Sequence, residues 1–119
     1  MFKKIMLGSV MICGLLLASC GQQKNVGADG YRFEEATLDR KELNVKIVFV
    51  QSNQEMIALE KEHNAEAQPG YEIAAFATYS QTEPHCTIYA IDPKVNYQPE
   101  WIGHELVHCV YGVWHKSQP

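Results

Sequence analysis

The sequence predicts a small α+β domain whose elements follow one another as strand, helix, strand, strand and helix. Two patterns predict it: runs rich in β-branched residues alternate in that order with segments of helical spacing, and turn residues separate them. The third observation is size, because 119 residues that are 46% hydrophobic and 20% charged suit one domain and exclude a disordered, collagen-like or repeat protein. The formal net charge of −4 argues against a nucleic-acid partner bound through its phosphates.

The first strand and the first helix are predicted between residues 45 and 64. Residues 45–50, VKIVFV, are rich in β-branched side chains and apolar on both faces toward the end of the run, which predicts a strand. Ser52 and Glu55 have the spacing of a capping box, which opens a helix that extends to about Asn64. Residues 65–70 then form a predicted loop.

Two more strands and a last helix are predicted in the second half of the chain. Residues 73–79 and 86–91 are strand-like, and the segment SQTEPH between them is short enough for a hairpin. Pro99 lies where the first turn of a helix would begin, and Gly112 predicts the end of that helix after Tyr111. A domain of about seventy residues has a marginal core and usually needs a covalent staple or a metal.

The N-terminal segment resembles the signal peptide of bacterial lipoproteins. Lys3 and Lys4 precede a largely apolar stretch, residues 5–18, that is too short to span a bilayer comfortably. The stretch ends in LASC, which resembles a lipobox and implies that residues 1–19 are removed and that Cys20 is acylated, for example with palmitate. The alternative is an ordinary cleaved signal followed by a chance cysteine.

This resemblance implies a location and a domain organisation. A lipoprotein of this kind is tethered to a membrane in the oxidising cell envelope. Gly21, where an Asp would favour retention, implies the outer membrane if the source is Gram-negative. Residues 20–42 are polar and lack a sustained apolar period, so they are predicted as a tether and lead-in to a domain at residues 43–119.

Cysteine usage then predicts one disulfide. Cys13 would leave with the signal peptide and Cys20 would carry the lipid, which leaves Cys86 and Cys109. Two cysteines in an oxidising compartment most simply pair with each other. The alternative is a pair of free, buried thiols.

His104, Glu105 and His108 form an HExxH motif on the predicted last helix. Because a helix turns about 100° per residue, the two histidines lie one turn apart on the same face, where two imidazoles can bind one zinc ion. Glu105 lies beside them on the helix and can act as the general base toward a water that the metal activates. The alternative is an ordinary amphipathic helix that carries two histidines.

The full string HELVHCVYGVWH resembles the metzincin motif HExxHxxGxxH, in which a glycine breaks the helix and a third histidine turns back to the metal. Here one more residue separates His108 from Gly112, and no methionine follows, so the resemblance implies a zincin-like site and not a true metzincin. The form HExxHCxxGxxH is also similar to that of small bacterial and phage-associated metallopeptidase-like proteins. The resemblance covers the C-terminal quarter of the chain and implies His115 as the third ligand.

Helix geometry agrees with a break before the third ligand. On an unbroken helix, His115 would lie about 10 Å from His108 along the axis, which is too far for both to bind one zinc. The chain must therefore leave the helix at Gly112, a residue that tolerates left-handed dihedrals. The alternative for His115 is a solvent-exposed tail residue, with His85 as the next candidate ligand. His63 is expected to act as a favourable cation at the end of the first helix.

The remaining residues near the motif are predicted to support the site. Leu106, Val107 and Val110 fall on the side of the helix away from the histidines and form the predicted core stripe. A strand beside the site, either residues 73–79 or 86–91, could pair with an extended substrate. Trp101 and Trp114 are predicted core residues. Nothing in the sequence selects a donor to an oxyanion among the tyrosines Tyr79, Tyr89, Tyr97 and Tyr111.

These observations predict a membrane-anchored zinc peptidase, a hydrolase of peptide bonds in the bacterial cell envelope. Its expected partners are a peptide or protein substrate and a membrane, reached through the lipid anchor. The competing hypothesis is a non-enzymatic envelope lipoprotein whose zinc site is structural or vestigial, because so small a domain leaves little chain for specificity pockets. A closed site with four protein ligands would favour that rival, and three ligands with an open position would favour the enzyme.

Overall fold

The computed structural model describes residues 26–65 and 72–116 of the chain. The predicted signal peptide, Cys20 and Gly21 lie outside the described residues, as does most of the predicted loop at 65–70. Neither described helix is long and apolar enough to cross a lipid bilayer.

The predicted α+β class and element order are confirmed. The chain forms strand β1 (Asn44–Val50), helix α1 (Asn53–His63), strand β2 (Ala75–Tyr79), strand β3 (His85–Ile91) and helix α2 (Pro99–Tyr111). The last helix has the predicted bounds, whereas β2 begins two residues later than the strand expected from residue 73.

The predicted signals at the helix ends are present as hydrogen bonds. Ser52 is the N-cap of α1, and its hydroxyl accepts a hydrogen bond from the Glu55 amide at 3.2 Å. The Glu55 carboxylate reaches back to the amide of Gln51 at 2.8 Å, so the capping box also binds the residue before the cap. Helix α2 begins with Pro99 in its first turn and ends at Gly112, whose amide donates to the His108 carbonyl.

The three strands form one mixed sheet in the order β1-β3-β2. Strand β3 is central, runs parallel to β1 with Asn44 opposite His85, and pairs antiparallel with β2. The β2–β3 connection is the predicted hairpin, in which the Ser80 hydroxyl accepts hydrogen bonds from the amides of Thr82 and Glu83. Because β3 has a neighbour on each side, β1 and β2 are the two edges of this sheet.

Each face of the sheet carries its own apolar cluster. On one face, Met56 of α1 is buried against Val50 and Phe76 of the sheet. On the other face, α2 packs against β2 and β3, and the cluster there contains Ala75, Cys86, Ile88, Ala90 and Cys109. The alternation along β3 produces this division, because residues 86, 88 and 90 point one way and the residues between them point the other.

Strand β1 is less buried than its sequence predicts. Val45, Ile47 and Phe49 share the α2 side of the sheet with Cys86, and they remain 39–45% exposed. Helix α2 lies over β2 and β3, so the apolar residues on this side of the edge strand are only partly covered. The sequence shows that β1 is apolar on both faces, but it does not show how far the covering helix extends.

Candidate metal centre

Helix α2 presents the HExxH residues on two adjacent faces. His104 and Glu105 are buried and His108 is half-buried. Cys109 is fully buried against the sheet, one turn after Glu105. The face that packs on the sheet therefore contains Glu105 and Cys109, and the two motif histidines lie next to it.

The predicted core stripe of this helix is wrong at Leu106. Leu106 is 42% exposed, while Val107 and Val110 are half-buried. Trp101 and Ile102 pack against the core instead, on the side where Cys109 lies against Cys86. The apolar pattern pointed to the side of Leu106, but the side of α2 that meets the sheet carries Glu105 and Cys109.

Gly112 turns the chain back toward the histidines. Its dihedrals, φ 71° and ψ −127°, lie where side chains with a Cβ are strained. A Cβ at this position would also collide with the Thr37 hydroxyl and lie 3.2 Å from the Leu38 side chain. The turn brings His115 back against α2, which is the break that the sequence predicted.

The ring nitrogens of the three predicted ligands converge. His115 Nε2 lies 3.1 Å from His104 Nε2 and 3.1 Å from His108 Nε2. The candidate ligand atoms of all three rings lie within 4.8 Å of one another. Three nitrogens that each bind one tetrahedral zinc at 2.0–2.1 Å stand about 3.3 Å apart, so this spacing fits a zinc ion.

The other nitrogen of each ring is occupied by an acceptor. His104 Nδ1–H donates to the Asp29 carboxylate at 2.7 Å, and His108 Nδ1–H donates to the Gly112 carbonyl at 2.8 Å. His115 Nδ1–H donates to the Lys116 carbonyl at 2.8 Å. Because all three acceptors lack a proton, the neutral rings carry theirs on Nδ1, and the Nε2 lone pairs face one another. A proton on one Nε2 could donate a hydrogen bond to only one of the other lone pairs, whereas a cation bound between the rings would accept all three lone pairs.

Burial favours the neutral rings that metal binding requires. It lowers the pKa of His108 to about 4, an effect that His104 and His115 reinforce and the Gly112 carbonyl opposes. Burial also lowers the pKa of His104, and the hydrogen bond to Asp29 opposes the change. Both rings are therefore deprotonated at neutral pH, the state in which imidazole binds a metal.

Aromatic rings surround the three histidines. The Tyr31 ring centroid lies 4.6 Å from that of His104 and 4.3 Å from that of His115. The Trp114 ring is buried, as predicted, and lies 4.5 Å from His115. Its Nε1 is the one buried side-chain nitrogen or oxygen in the described part of the chain that lacks a hydrogen-bond partner. These rings cover part of the histidine cluster, and an apolar shell of this kind tunes a metal site.

Glu105 lies on the sheet-facing side of α2, outside the three-histidine cluster. It is buried, and its carboxyl accepts a hydrogen bond from the backbone of Ala77 in β2. Burial raises the pKa of Glu105 to about 8, and the bond from Ala77 opposes the rise. At pH 7 the carboxyl is therefore mostly protonated, and its ionised form binds a proton more tightly than an ordinary glutamate does.

The two other histidines, His63 and His85, lie apart from the cluster. His85 is exposed at the start of β3, where its Nε2 lies 3.7 Å from Glu83 Oε2. His63 ends α1 and packs beside the rings of Phe76 and Tyr89. Among the predicted oxyanion donors, Tyr79 is half-buried, and burial raises the pKa of its hydroxyl.

Tyr31 and Asp29 contact the histidines, and the sequence reasoning missed both. They precede β1 in a segment without apolar periodicity, so no helix or strand pattern pointed to them. The available signal was turn chemistry, because Gly27, Asp29 and Gly30 are the residue types that build tight turns.

The structure places Cys86 and Cys109 at disulfide distance, with their Cα atoms 5.6 Å apart. This is the arrangement that the predicted disulfide requires. It joins the central strand to the helix that carries the histidines, one residue after His108.

Comparisons with protein-family models, curated proteins and solved structures found no match to this chain.

Proposed function

We propose that this protein is a zinc-dependent peptidase of zincin type that acts in the bacterial cell envelope and is anchored to a membrane by a lipid on Cys20. The observation that carries the proposal is the convergence of the three Nε2 atoms, each on a ring whose Nδ1–H is already bound elsewhere. An ordinary amphipathic helix that carries two histidines would not be expected to share one point with the ring of a third histidine beyond its end.

The number of ligands favours a catalytic site over a structural one. Within residues 26–65 and 72–116, His104, His108 and His115 are the His, Cys, Asp or Glu side chains that meet at one point. Structural zinc sites usually have four protein ligands, whereas catalytic sites have three and leave a position for water or substrate. His108 and His115 are only half-buried, so this open position would be reachable from solvent.

The three histidines would hold the ion, and a bound zinc ion would supply a Lewis acid that polarises a water or a carbonyl oxygen. Glu105 directly follows His104, so it lies on the same helical turn as a ligand. In the proposed reaction, the positive charge of the bound ion would favour the ionised form of Glu105, and this carboxylate would take a proton from the attacking water and deliver it to the leaving amine. Tyr31 and Trp114 pack against the rings and would shield that side of the ion from bulk water.

The sheet offers one of the two predicted strands for substrate pairing. Strand β3 is internal and has both of its sides paired, so it cannot pair with a substrate. Strand β2 is an edge strand and packs against α2, the helix with the histidines. An extended peptide added to this edge would lie next to the helix that carries Glu105.

One observation favours the rival function, a structural zinc site in a non-enzymatic lipoprotein. His115 lies beyond Gly112 near the end of the described chain, so a bound ion would fasten the C-terminal segment to α2. In that case the ion would contribute folding energy and no chemistry.

A comparison of two glutamates in α2 separates the two functions. The full-length protein in detergent should bind one zinc per chain by elemental analysis and hydrolyse members of a broad peptide library until a chelator is added. Glu105→Gln should keep the zinc and lose about 10²–10⁴-fold in hydrolysis, because it removes the base. Glu100→Gln, at an exposed position in the first turn of α2, is the matched control and should behave as wild type.

Undiminished hydrolysis by Glu105→Gln would refute the proposed mechanism. Stoichiometric zinc without hydrolysis of any peptide would favour the structural site instead.

A further inference from the structure

The segment that precedes β1 crosses the metal centre. We call residues 26–40 the N-terminal strap. Its backbone bonds to the region after α2, where the amides of Glu34 and Glu35 both donate to the Trp114 carbonyl. The amides of Thr37 and Leu38 donate to the Tyr111 carbonyl. The strap therefore packs against the turn that returns His115 to the cluster.

A tight turn within the strap presents Asp29 to His104. The Gly30 amide donates to the Gly27 carbonyl at 3.0 Å, and Gly30 has a φ of 84° that other residues rarely adopt. Asp29 Oδ1 accepts the Tyr31 amide at 3.0 Å, and Asp29 Oδ2 accepts the proton of His104 Nδ1 at 2.7 Å. One carboxylate oxygen is thus fixed by the strap's own backbone, and the other is aimed at a candidate metal ligand.

The contact between these two side chains is buried. The side chains of His104 and Asp29 are only 6% and 10% exposed, so water competes little for the hydrogen bond. A Cβ on Gly27 would lie 2.6 Å from Asp29 Oδ1, which means that this orientation of the carboxylate requires glycine at position 27. The local chain is therefore arranged around the placement of this one side chain.

We infer that Asp29 is a positioning residue of the metal centre, which sets the tautomer and the ring orientation of His104 and thereby raises its affinity for zinc. The inference rests on the proposed zinc site. The rings of His108 and His115 are oriented in the same way by hydrogen bonds to the backbone carbonyls of Gly112 and Lys116, and a side-chain substitution cannot remove a backbone carbonyl. His104 alone depends on a side chain for it, and that side chain comes from a segment 75 residues away.

The test is the zinc affinity of two Asp29 variants, measured without any substrate by competition with a chromophoric chelator. Asp29→Asn keeps an acceptor oxygen and removes the charge, and Asp29→Ala removes both. We expect zinc binding to weaken by about 10–100-fold, more for Ala than for Asn, as is typical for the outer partners of metal ligands. Asp39→Asn is the matched control, because Asp39 is an exposed aspartate of the same strap that pairs with Lys41.

Two further measurements separate positioning from folding. The melting temperature in excess chelator should change little in Asp29→Asn, and the visible spectrum of the cobalt-substituted protein should change, because His104 is no longer held in one orientation. Gly27→Ala keeps the carboxylate but displaces it, and it should weaken zinc binding in the same direction.

The outcomes distinguish this inference from the proposed function. Zinc affinities of both Asp29 variants within about twofold of wild type, with wild type binding zinc, would overturn the role of Asp29 and leave the three-histidine site standing. A wild-type protein that binds no zinc would overturn both. Weakened zinc binding in the Asp29 variants supports the role of Asp29, whether or not any peptide is hydrolysed.

Discussion

The two helices lie on opposite faces of one sheet and are held there by different kinds of contact. Helix α1 packs through apolar side chains, with Met56 buried against Val50 and Phe76. Helix α2 carries buried histidine and glutamate side chains, contacts the sheet through a cysteine pair and is crossed by the N-terminal strap. The first arrangement depends mainly on shape and apolar area, with one buried carboxylate at Glu60, whereas the second contains a cysteine pair and the proposed zinc ligands.

This difference shows where the chemistry of the chain is concentrated. Around α1, the local sequence signals and the tertiary packing favour the same structure, as is typical of a region with only a structural role. Around α2, charged and polar groups are buried, and each requires a specific partner. The α2 face should therefore respond to chelators and reductants, and the α1 face should not.

The largest expected effect comes from removing a ligand. His108→Ala should lose stoichiometric zinc and, at free zinc about a thousandfold above the dissociation constant, about 4 kcal/mol of stability. The measurement is thermal unfolding with zinc and with excess chelator, where the difference from wild type should shrink. His85→Ala, an exposed histidine paired with Glu83, should match wild type in both conditions. If His108→Ala lost as much stability in excess chelator as in zinc, His108 would stabilise the fold through packing and not through a bound ion.

Truncation of the α1 core tests the other face. Met56 is about 1% exposed, and Met56→Ala should cost about 3 kcal/mol through lost burial and the cavity left behind. Urea unfolding should give the same cost with and without zinc, and the zinc affinity of the folded protein should not change. The neighbouring Ile57→Ala, at a half-exposed position, should cost far less. A fall in zinc affinity in Met56→Ala would break the distinction between the faces.

The cysteine pair should contribute a similar amount on the α2 face. Cys86 and Cys109 are separated by 23 positions, and closing a loop of this size contributes about 3 kcal/mol in the chain-entropy account. Addition of a reductant should lower the melting temperature of the wild type and leave that of the double variant Cys86→Ala/Cys109→Ala unchanged. Non-reducing mass spectrometry that finds two free thiols in the mature protein would contradict the disulfide.

The smallest effect concerns a carboxylate in the otherwise apolar α1 face. Glu60 is 8% exposed, and burial raises its pKa. Its ionisation therefore opposes folding, and the stability present below the unfolded pKa of about 4.3 is lost as the pH rises through the folded value. Glu60→Gln should raise the melting temperature at pH 7, which corresponds to a gain of less than about 1 kcal/mol in the free energy of unfolding. This gain should vanish near pH 3. The exposed Glu62→Gln is the control, and a gain that persists at pH 3 would exclude the ionisation of Glu60 as its cause.

The elements of the fold could be predicted because their signals are local. Ser52 with Glu55, and Pro99 with Gly112, mark helix ends through hydrogen bonds within a few residues, and the structure has those ends. The spacing of His104 and His108 follows from the helical repeat alone. The approach of His115 to the other two histidines could also be predicted from the sequence. On an unbroken helix His115 would lie too far from His108 to share a metal ion, so the helix must break at Gly112.

The missed features depend on contacts between distant segments. Asp29 reaches His104 from a stretch whose only signal is a turn, and no periodicity shows which residue a turn will face. The exposure of Leu106 depends on how α2 is rotated on the sheet, where Cys109 and not Leu106 meets the buried Cys86. Cys20 and its lipid stay a prediction, because they lie outside the described residues.

The contact between the N-terminal strap and the candidate metal centre also limits how far that centre can lie from the membrane. Nine positions separate Cys20 from Asp29, and a fully extended chain covers at most about 3.6 Å per residue. With Cys20 acylated, as the sequence predicts, the Asp29 end of the strap can stand no more than about 30 Å from the lipid surface. The proposed peptidase, anchored through so short a segment, would sample only a thin layer of the envelope next to the bilayer. Its substrates would then be selected by where they sit as much as by their sequence, with polypeptides close to the membrane encountered most often.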